Sequence, residues 1–505
     1  MVDSIRNIFY KRIWLNKKIY ILTFLFISFI LIAEKNFIGI PKKAILFLSV
    51  IVFIILFLWN KDIEKNILVI SLIFGGTFSL LTPVFEVWDE PAHYTRVQYI
   101  SEGHLTISND KDTHTISKDI SKLEEISRYT SRKKAILPNT FEVSLWNYQH
   151  NPDKEYQFRV PVTNAYGTIA YLPAVVGFNL GKLISRGNLG TMFYLGRIFN
   201  AIFYSLCAYM AVKISKKWKH IMAFFALQPL AIYISGSYNQ DAVSYGIILL
   251  VVAMFFRIIQ ENESKVSIQF IISFVGLCMI LAFTKLPYVT LAGLIFFIPY
   301  KKYKSRIEYG VMLLGMVLVI LVSGLWFLYY SDITGLAPLS DKVDSAQQVS
   351  FIIQNPKQFI SILGTNIFDS LTKYRQLSAF AWDQQGSHML SLVNLISIGV
   401  ILAFPMKNFE RISTWTKIGI VIISGMILSL IYLSMYLTWT DVGANHISGV
   451  QGRYFFGIIL LSPLIFNFSK YIGNIESNWF TQNTPQIMSL MLLIWSLASR
   501  IGIYY

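Results

Sequence analysis

Apolar runs of about 20 residues recur along almost the whole chain, the length an α-helix needs to cross a bilayer's hydrocarbon core of roughly 30 Å. No other feature narrows the fold so far. Reading hydropathy along the chain gives roughly thirteen such runs. They extend from Tyr20–Ala33, Ala44–Trp59 and Ile67–Val84, through Met192–Ile214, Ile221–Ser235 and Tyr288–Tyr300, to Ile487–Ile503. Composition agrees: 54% of the 505 residues are hydrophobic and only 14% charged, where a soluble domain carries about 25% charge. The expected fold is an all-α polytopic membrane protein, a single membrane-embedded unit over residues 1–505.

The net charge of +16 does not point to nucleic acid. Basic residues gather in short stretches between apolar runs: Lys11–Lys18, Lys213–Lys219, Lys301–Arg306, and Lys407 with Arg411. That is the bias of cytoplasmic loops. With Lys11–Lys18 inside, the run Ile67–Val84 leaves the membrane on the outer side near Pro83. An odd number of crossings must then separate Asp89 from Lys213–Lys219, yet two apolar runs intervene. Tyr166–Ile184 carries Pro173, Gly167, Gly177, Gly181 and Asn179. We therefore expect residues 166–185 to form an interfacial or re-entrant helix. Two long segments fall outside, 86–165 and 331–388, and the second holds the amphipathic stretch Pro356–Leu371. Trp382 and Asp383 in that segment read as structural.

Four polar clusters interrupt this apolar chain, and the topology puts all of them at the outer face. The first is Asp89, Glu90, His93 and Arg96, directly after a spanning run. If Trp88–Tyr99 is helical, Asp89, His93 and Arg96 share one face. The alternative is that the two acids only cap the helix starting at Pro91. The second is the turn SGSYNQD, residues 235–241, with Asn239 and Asp241. The third is Lys285, a lysine at an outer turn against the charge bias. The fourth is ISGVQGRY, residues 447–454, with Gln451, Arg453 and Tyr454; Gly449 and Gly452 suggest a backbone approached closely by a ligand. Cys207 and Cys278 lie inside apolar runs, so neither suggests a disulfide or metal site. His104, His114 and His150 lack metal-ligand spacing.

Ionisable groups are costly at a membrane boundary and usually mark function. A carboxylate there can act as general base on an acceptor hydroxyl. Arg453 and Lys285, with Gln451, can hold a phosphate leaving group as its charge develops. His93, Arg96, Asn239, Asp241 and Tyr454 would bind the rest of the substrate. The chemistry suggested is glycosyl transfer from a lipid-phosphate sugar without nucleotides, and no Walker A or Rossmann fingerprint is present. A lipid-linked sugar flippase would instead need internal repeats and charges near the bilayer midplane. A polysaccharide polymerase would share the outer loops and arginines without needing the Asp-Glu pair.

The segments PVFEVWDEPAHYTRVQYISEG (83–103), SGSYNQD (235–241) and GVQGRYFFGIILLSPL (449–464) resemble the DUF2142 family of bacterial polytopic membrane proteins. That family is similar to the GT-C superfamily of lipid-phosphate-sugar-dependent glycosyltransferases. The resemblance runs from about Thr82 to Leu464. It implies a GT-C-like bundle with two large extracytoplasmic loops carrying interfacial helices. It also implies Asp89 as catalytic base, with Glu90 as second candidate. The implied reaction is inverting, hexosyltransferase-like transfer at the outer face of a bacterial plasma membrane. The implied donor is a polyprenyl-phosphate-linked sugar and the implied acceptor a cell-surface glycopolymer, such as teichoic acid or wall polysaccharide. Both a Mg- or Mn-dependent and a metal-free reaction stay open.

Overall fold

The computed structural model describes residues 10–14, 17–33, 42–107, 115–130, 145–153, 156–157, 163, 165–260, 265–334, 342–380, 387–403, 412–466 and 479–504. His114, Trp382, Asp383, Lys407 and Arg411 lie outside them.

Proline placement cuts the apolar runs into helices. Helix α1 (Ile63–Leu81) stops at Thr82, which is extended (φ −71°, ψ 124°) because Pro83 follows it. Helix α2 (Glu90–Ser101) starts with Pro91 in its first turn. Helix α3 (Leu172–Ser185) opens with Pro173 and closes at left-handed Arg186. A short turn then leads into α4 (Leu189–Ile214), whose cap Asn188 accepts a hydrogen bond from the Thr191 amide. Helices α3 and α4 approach closely: a Cβ on Gly177 would stand 2.3 Å from the Leu195 carbonyl oxygen. At 14 residues, α3 is only about 21 Å long, short of a bilayer core.

The run Ile221–Ser235, expected as one span, is instead two helices, Lys219–Ala226 and α5 (Pro229–Ser235). Gln228 between them is extended (ψ 130°), as the residue before a proline tends to be. Next come α6 (Asp241–Gln260) and α7 (Ile268–Thr284). Leu286–Phe297 then winds as a 3₁₀-helix, and α8 (Arg306–Thr334) follows. Helices α9 (Thr414–Thr438), α10 (Phe456–Ile465) and α11 (Trp479–Tyr504) complete the set used below.

Among the described residues, six helices are long and apolar enough to cross a membrane: α1, α4, α6, α8, α9 and α11. Shorter apolar helices of 10–17 residues accompany them, including α3, α7 and Leu286–Phe297. This is an α-helical polytopic membrane protein. In α6, 89% of the most apolar 18-residue window is buried, against 22% in α8. Helix α6 therefore runs through the middle, touching α4, α7 and α10. Helix α8 lies at the periphery and turns Leu314, Ile320, Leu325 and Leu328 outward, as a lipid-facing helix does.

Both long polar segments contain folded structure. The first holds α2, the helix Asp119–Thr130 and a ribbon pairing Thr115 with Gln157 and Ile116 with Tyr156. Its core joins Phe85, Tyr94, Ile120, Phe178, Phe193 and Tyr238. The second holds helices Ser345–Gln354 and Pro356–Thr372. They pack on α9, where Ile362 is buried with Tyr432 and Tyr436.

Candidate functional site

The chain between α1 and α2 delivers Asp89. Its backbone is left-handed (φ 58°, ψ 7°) and its side chain makes no capping bond to the helix it precedes. In a residue with a Cβ, that conformation costs about 1–3 kcal/mol and persists only where the surroundings impose it. The Asp89 carboxylate pairs with Arg453 Nη2, and its side chain is 11% exposed. Since α2 begins at Glu90, Asp89 is not one turn of a helix shared with His93 and Arg96.

Arg453 sits in the 3₁₀ turn Gly452–Phe455. Its Nη1 lies 3.4 Å from Asp241 Oδ2, and its Nε donates to Gln451 Oε1 at 2.6 Å. The Tyr245 hydroxyl donates to its carbonyl at 2.5 Å, and its guanidinium carbon stands 5.1 Å from the Tyr454 ring centroid. The glycines of this motif, expected to admit a ligand, meet the protein's own chain instead. A Cβ on Gly452 would come within 2.5 Å of the Gln376 carbonyl oxygen, and Gly449 (φ 80°) lies against Trp439.

Asp241 is buried at the start of α6. Its amide donates to Asn239 Oδ1 (2.9 Å), whose Nδ2 donates to the Trp88 carbonyl (3.0 Å). That bond ties the 235–241 turn to the residue before Asp89. Lys285 Nζ donates to Asp241 Oδ1 and lies 4.8 Å from the Tyr454 ring centroid. Asp89, Arg453, Asp241 and Lys285 therefore alternate in sign, one residue from each of the four clusters. Alternation is how buried charge becomes tolerable, since each ion's lost hydration is offset by a neighbour.

Glu90, adjacent in sequence, belongs to a different structure. It is fully buried, and Arg197 of α4 grips it through Nε (2.8 Å to Oε1) and Nη2 (2.6 Å to Oε2). Arg197 also donates to the carbonyls of Ser79 (3.1 Å), Thr82 (2.6 Å) and Pro83 (2.9 Å). All five guanidinium donors are thus used. The Tyr238 amide donates to Glu90 Oε1 at 3.2 Å. Glu90, expected as second candidate for the base, is instead one half of a clamp holding the end of α1, the start of α2, α4 and the 235–241 turn.

His93 is buried, with Nδ1 2.9 Å from the Tyr171 hydroxyl. Burial pushes its pKa down from 6.5 to about 4; Arg453 and Lys285 push the same way, against the carboxylates of Asp89 and Asp241. The ring is therefore neutral at physiological pH. As pH falls below 6.5, the unfolded chain takes up a proton that the folded chain refuses until about pH 4, so stability is lost across that window. We expect the melting temperature of the purified protein to fall from pH 6.5 to 4, and His93→Gln to flatten part of that fall.

Arg96 is buried but apart from the four-charge chain. Its Nη2 donates to the Leu105 carbonyl (3.3 Å) and Thr168 Oγ1 (3.5 Å). Tyr166 links the two regions. It packs beside His93, with ring centroids 5.8 Å apart. Arg197, Tyr166 and Tyr171 are site residues that sequence reasoning missed. Of these only Arg197, an ionisable group within the apolar run Met192–Ile214, carried a sequence signal.

The donor set does not fit a divalent cation. Both carboxylates of the chain already bond to Arg453 or Lys285, and among the described residues no three of His, Cys, Asp or Glu converge on one point. No curated protein and no solved structure matches this sequence. A family model described as "Predicted membrane protein (DUF2142)" matches residues 72–462, which span all four clusters, and the chain belongs to that family.

Proposed function

We propose that the protein is a glycosyltransferase that moves a sugar from a polyprenyl-phosphate donor to a cell-surface glycopolymer, such as teichoic acid or a wall polysaccharide. The GT-C-like bundle of roughly thirteen spans, its two outer loops and the interfacial placement of residues 166–185 belong to this reading. So does an active centre at the outer face of a bacterial plasma membrane. The observation that carries it is Asp89: a partly exposed carboxylate in a strained backbone conformation, bonded to an arginine that also reaches the Asp241–Lys285 pair.

In this reaction Asp89 accepts the proton of the acceptor hydroxyl. The hydroxyl oxygen bonds to the anomeric carbon, and the bond from that carbon to the phosphate oxygen breaks. Polyprenyl phosphate leaves with the electron pair, and Arg453 and Lys285 stabilise its charge. Attack from the face opposite the leaving group inverts the anomeric centre. At rest Arg453 is occupied by Asp89 and Asp241. A donor phosphate therefore competes with Asp89 for the guanidinium, and the same exchange releases the carboxylate to act as base.

The test is to supply membranes containing the protein with a polyprenyl-phosphate sugar and an acceptor polymer. A new glycosidic bond supports transfer. Movement of the lipid-linked sugar across vesicles without a new bond supports a flippase instead. Arg453→Lys keeps the charge but loses the fork shared by Asp89 and Asp241. We expect it to raise the apparent donor KM about tenfold, the equivalent of one charged hydrogen bond of about 1.5 kcal/mol. An unchanged KM would count against a phosphate role for Arg453.

A further inference from the structure

A cavity of about 290 Å³ has Tyr166 in its wall and none of the four charged residues Asp89, Asp241, Lys285 and Arg453. Arg96, Tyr166, Thr168, Phe283, Trp326 and Tyr329 contribute to its wall. Two features set it apart from a packing defect. The first is Arg96, which is 2% exposed, and whose Nε and Nη1 have no hydrogen-bond partner among the described residues. Its guanidinium carbon stands 5.7 Å from the Tyr99 ring centroid, and its Nη2 donates to the Leu105 carbonyl and Thr168 Oγ1 rather than to a carboxylate. A buried guanidinium with unused donors carries a desolvation penalty that an anion would relieve. The second feature is the remainder of the wall. Phe283 comes from α7, and Trp326 and Tyr329 come from α8, the helix whose apolar face turns outward. Trp326 Nε1 donates to the Ala165 carbonyl (3.2 Å) and the Tyr329 hydroxyl to the Ile107 carbonyl (3.2 Å), so their rings stay fixed while their polar atoms are satisfied.

An anion receptor backed by aromatic rings on a lipid-facing helix suits a ligand with a charged head and an apolar tail. Arginine is also the side chain best matched to phosphate oxygens. We propose that the Arg96 cavity binds the phosphate head of a membrane-borne amphiphile, at a site separate from the Arg453 centre. Tyr166 stands between that cavity, whose wall it joins, and the buried ring of His93. The site goes beyond the glycosyl-transfer reading, because that reading gives its donor phosphate to Arg453 and Lys285, neither of which lines this cavity.

Calorimetric titration of the full chain in phosphatidylcholine nanodiscs tests this with three probes: geranyl phosphate, geraniol and inorganic phosphate. Geranyl phosphate should bind at least about tenfold more tightly than either of the others, since each lacks one half of the recognition. Arg96→Met should weaken geranyl phosphate by about tenfold or more, the loss of at least one charged hydrogen bond. Thr106→Trp, placed on an exposed residue of the cavity wall, should block the site without touching Arg96. Geraniol binding as well as geranyl phosphate would overturn phosphate recognition. Inorganic phosphate binding as well as geranyl phosphate would overturn the lipid source. A folded Arg96→Met protein with undiminished affinity would overturn the site; should that variant not fold, undiminished affinity in Thr106→Trp would do so. Because the glycosyl-transfer reading also gives a lipid phosphate to Arg453, the Arg96→Met and Thr106→Trp variants, which leave Arg453 untouched, are what distinguish this site from that centre.

Discussion

Asp89→Asn should abolish most sugar transfer while leaving the amount of folded protein unchanged. The amide cannot accept the acceptor's proton, and positioned general bases contribute about 10²–10⁴-fold in rate. The fold should survive because the Asp89 side chain makes no capping bond and its backbone, which accepts the His93 amide, is held by neighbours, including the Asn239 bond to the Trp88 carbonyl. Asn also tolerates left-handed geometry as well as Asp does. The variant still offers Arg453 a side-chain oxygen, so the ion pair weakens without emptying the position. The decisive measurement is the initial rate of transfer per folded protein in membranes. A rate within about twofold of wild type, well short of the contribution of a general base, would remove Asp89 from that role.

Glu90→Gln should give the opposite result: protein is lost before activity can be assessed. The substitution removes one charge from a pair that is fully buried on both sides and leaves the Arg197 guanidinium uncompensated. Breaking such a pair on one side typically costs about 3–5 kcal/mol, a large share of the stability of most proteins. Arg197→Met should be similarly harmful, because it also frees the carbonyls of Ser79, Thr82 and Pro83. Glu90→Leu combined with Arg197→Met should be milder than either single change, since no unpaired charge remains. Yield and thermal stability after detergent extraction measure all three. Robust expression of Glu90→Gln would show that the clamp is not what holds α1 to α2.

The contrast between these neighbours marks the limit of what the sequence disclosed. Ionisable groups are rare enough in this chain that their clustering was visible, and Asp89, Asp241, Lys285 and Arg453 do converge. Two adjacent carboxylates look alike as letters, however, and only their partners tell them apart. The partner of Glu90 lies on α4, deep inside a run read as apolar. The left-handed backbone of Asp89 left no clear trace either, because Asp tolerates a positive φ without requiring one, as its letter alone cannot show. The break at Pro229 was in plain view, but an average over a hydropathy window passes across one proline without registering the turn. The helix in Pro356–Thr372 was legible because its apolar spacing repeats over several turns.

The twelve residues Leu286–Phe297 wind as a 3₁₀-helix. At about 2.0 Å of rise per residue they reach about 24 Å, where an α-helix of equal length reaches about 18 Å. The tighter coil also stacks every third side chain, and Tyr288, Leu291 and Leu294 are all buried along one column. Tyr288 at the head of that column donates its hydroxyl to the Tyr454 carbonyl at 2.6 Å. The run Tyr288–Tyr300, read from hydropathy as one of the spans, thus gains from 3₁₀ winding a reach closer to a hydrocarbon core of roughly 30 Å, and its Tyr288 props up the residue beside Arg453.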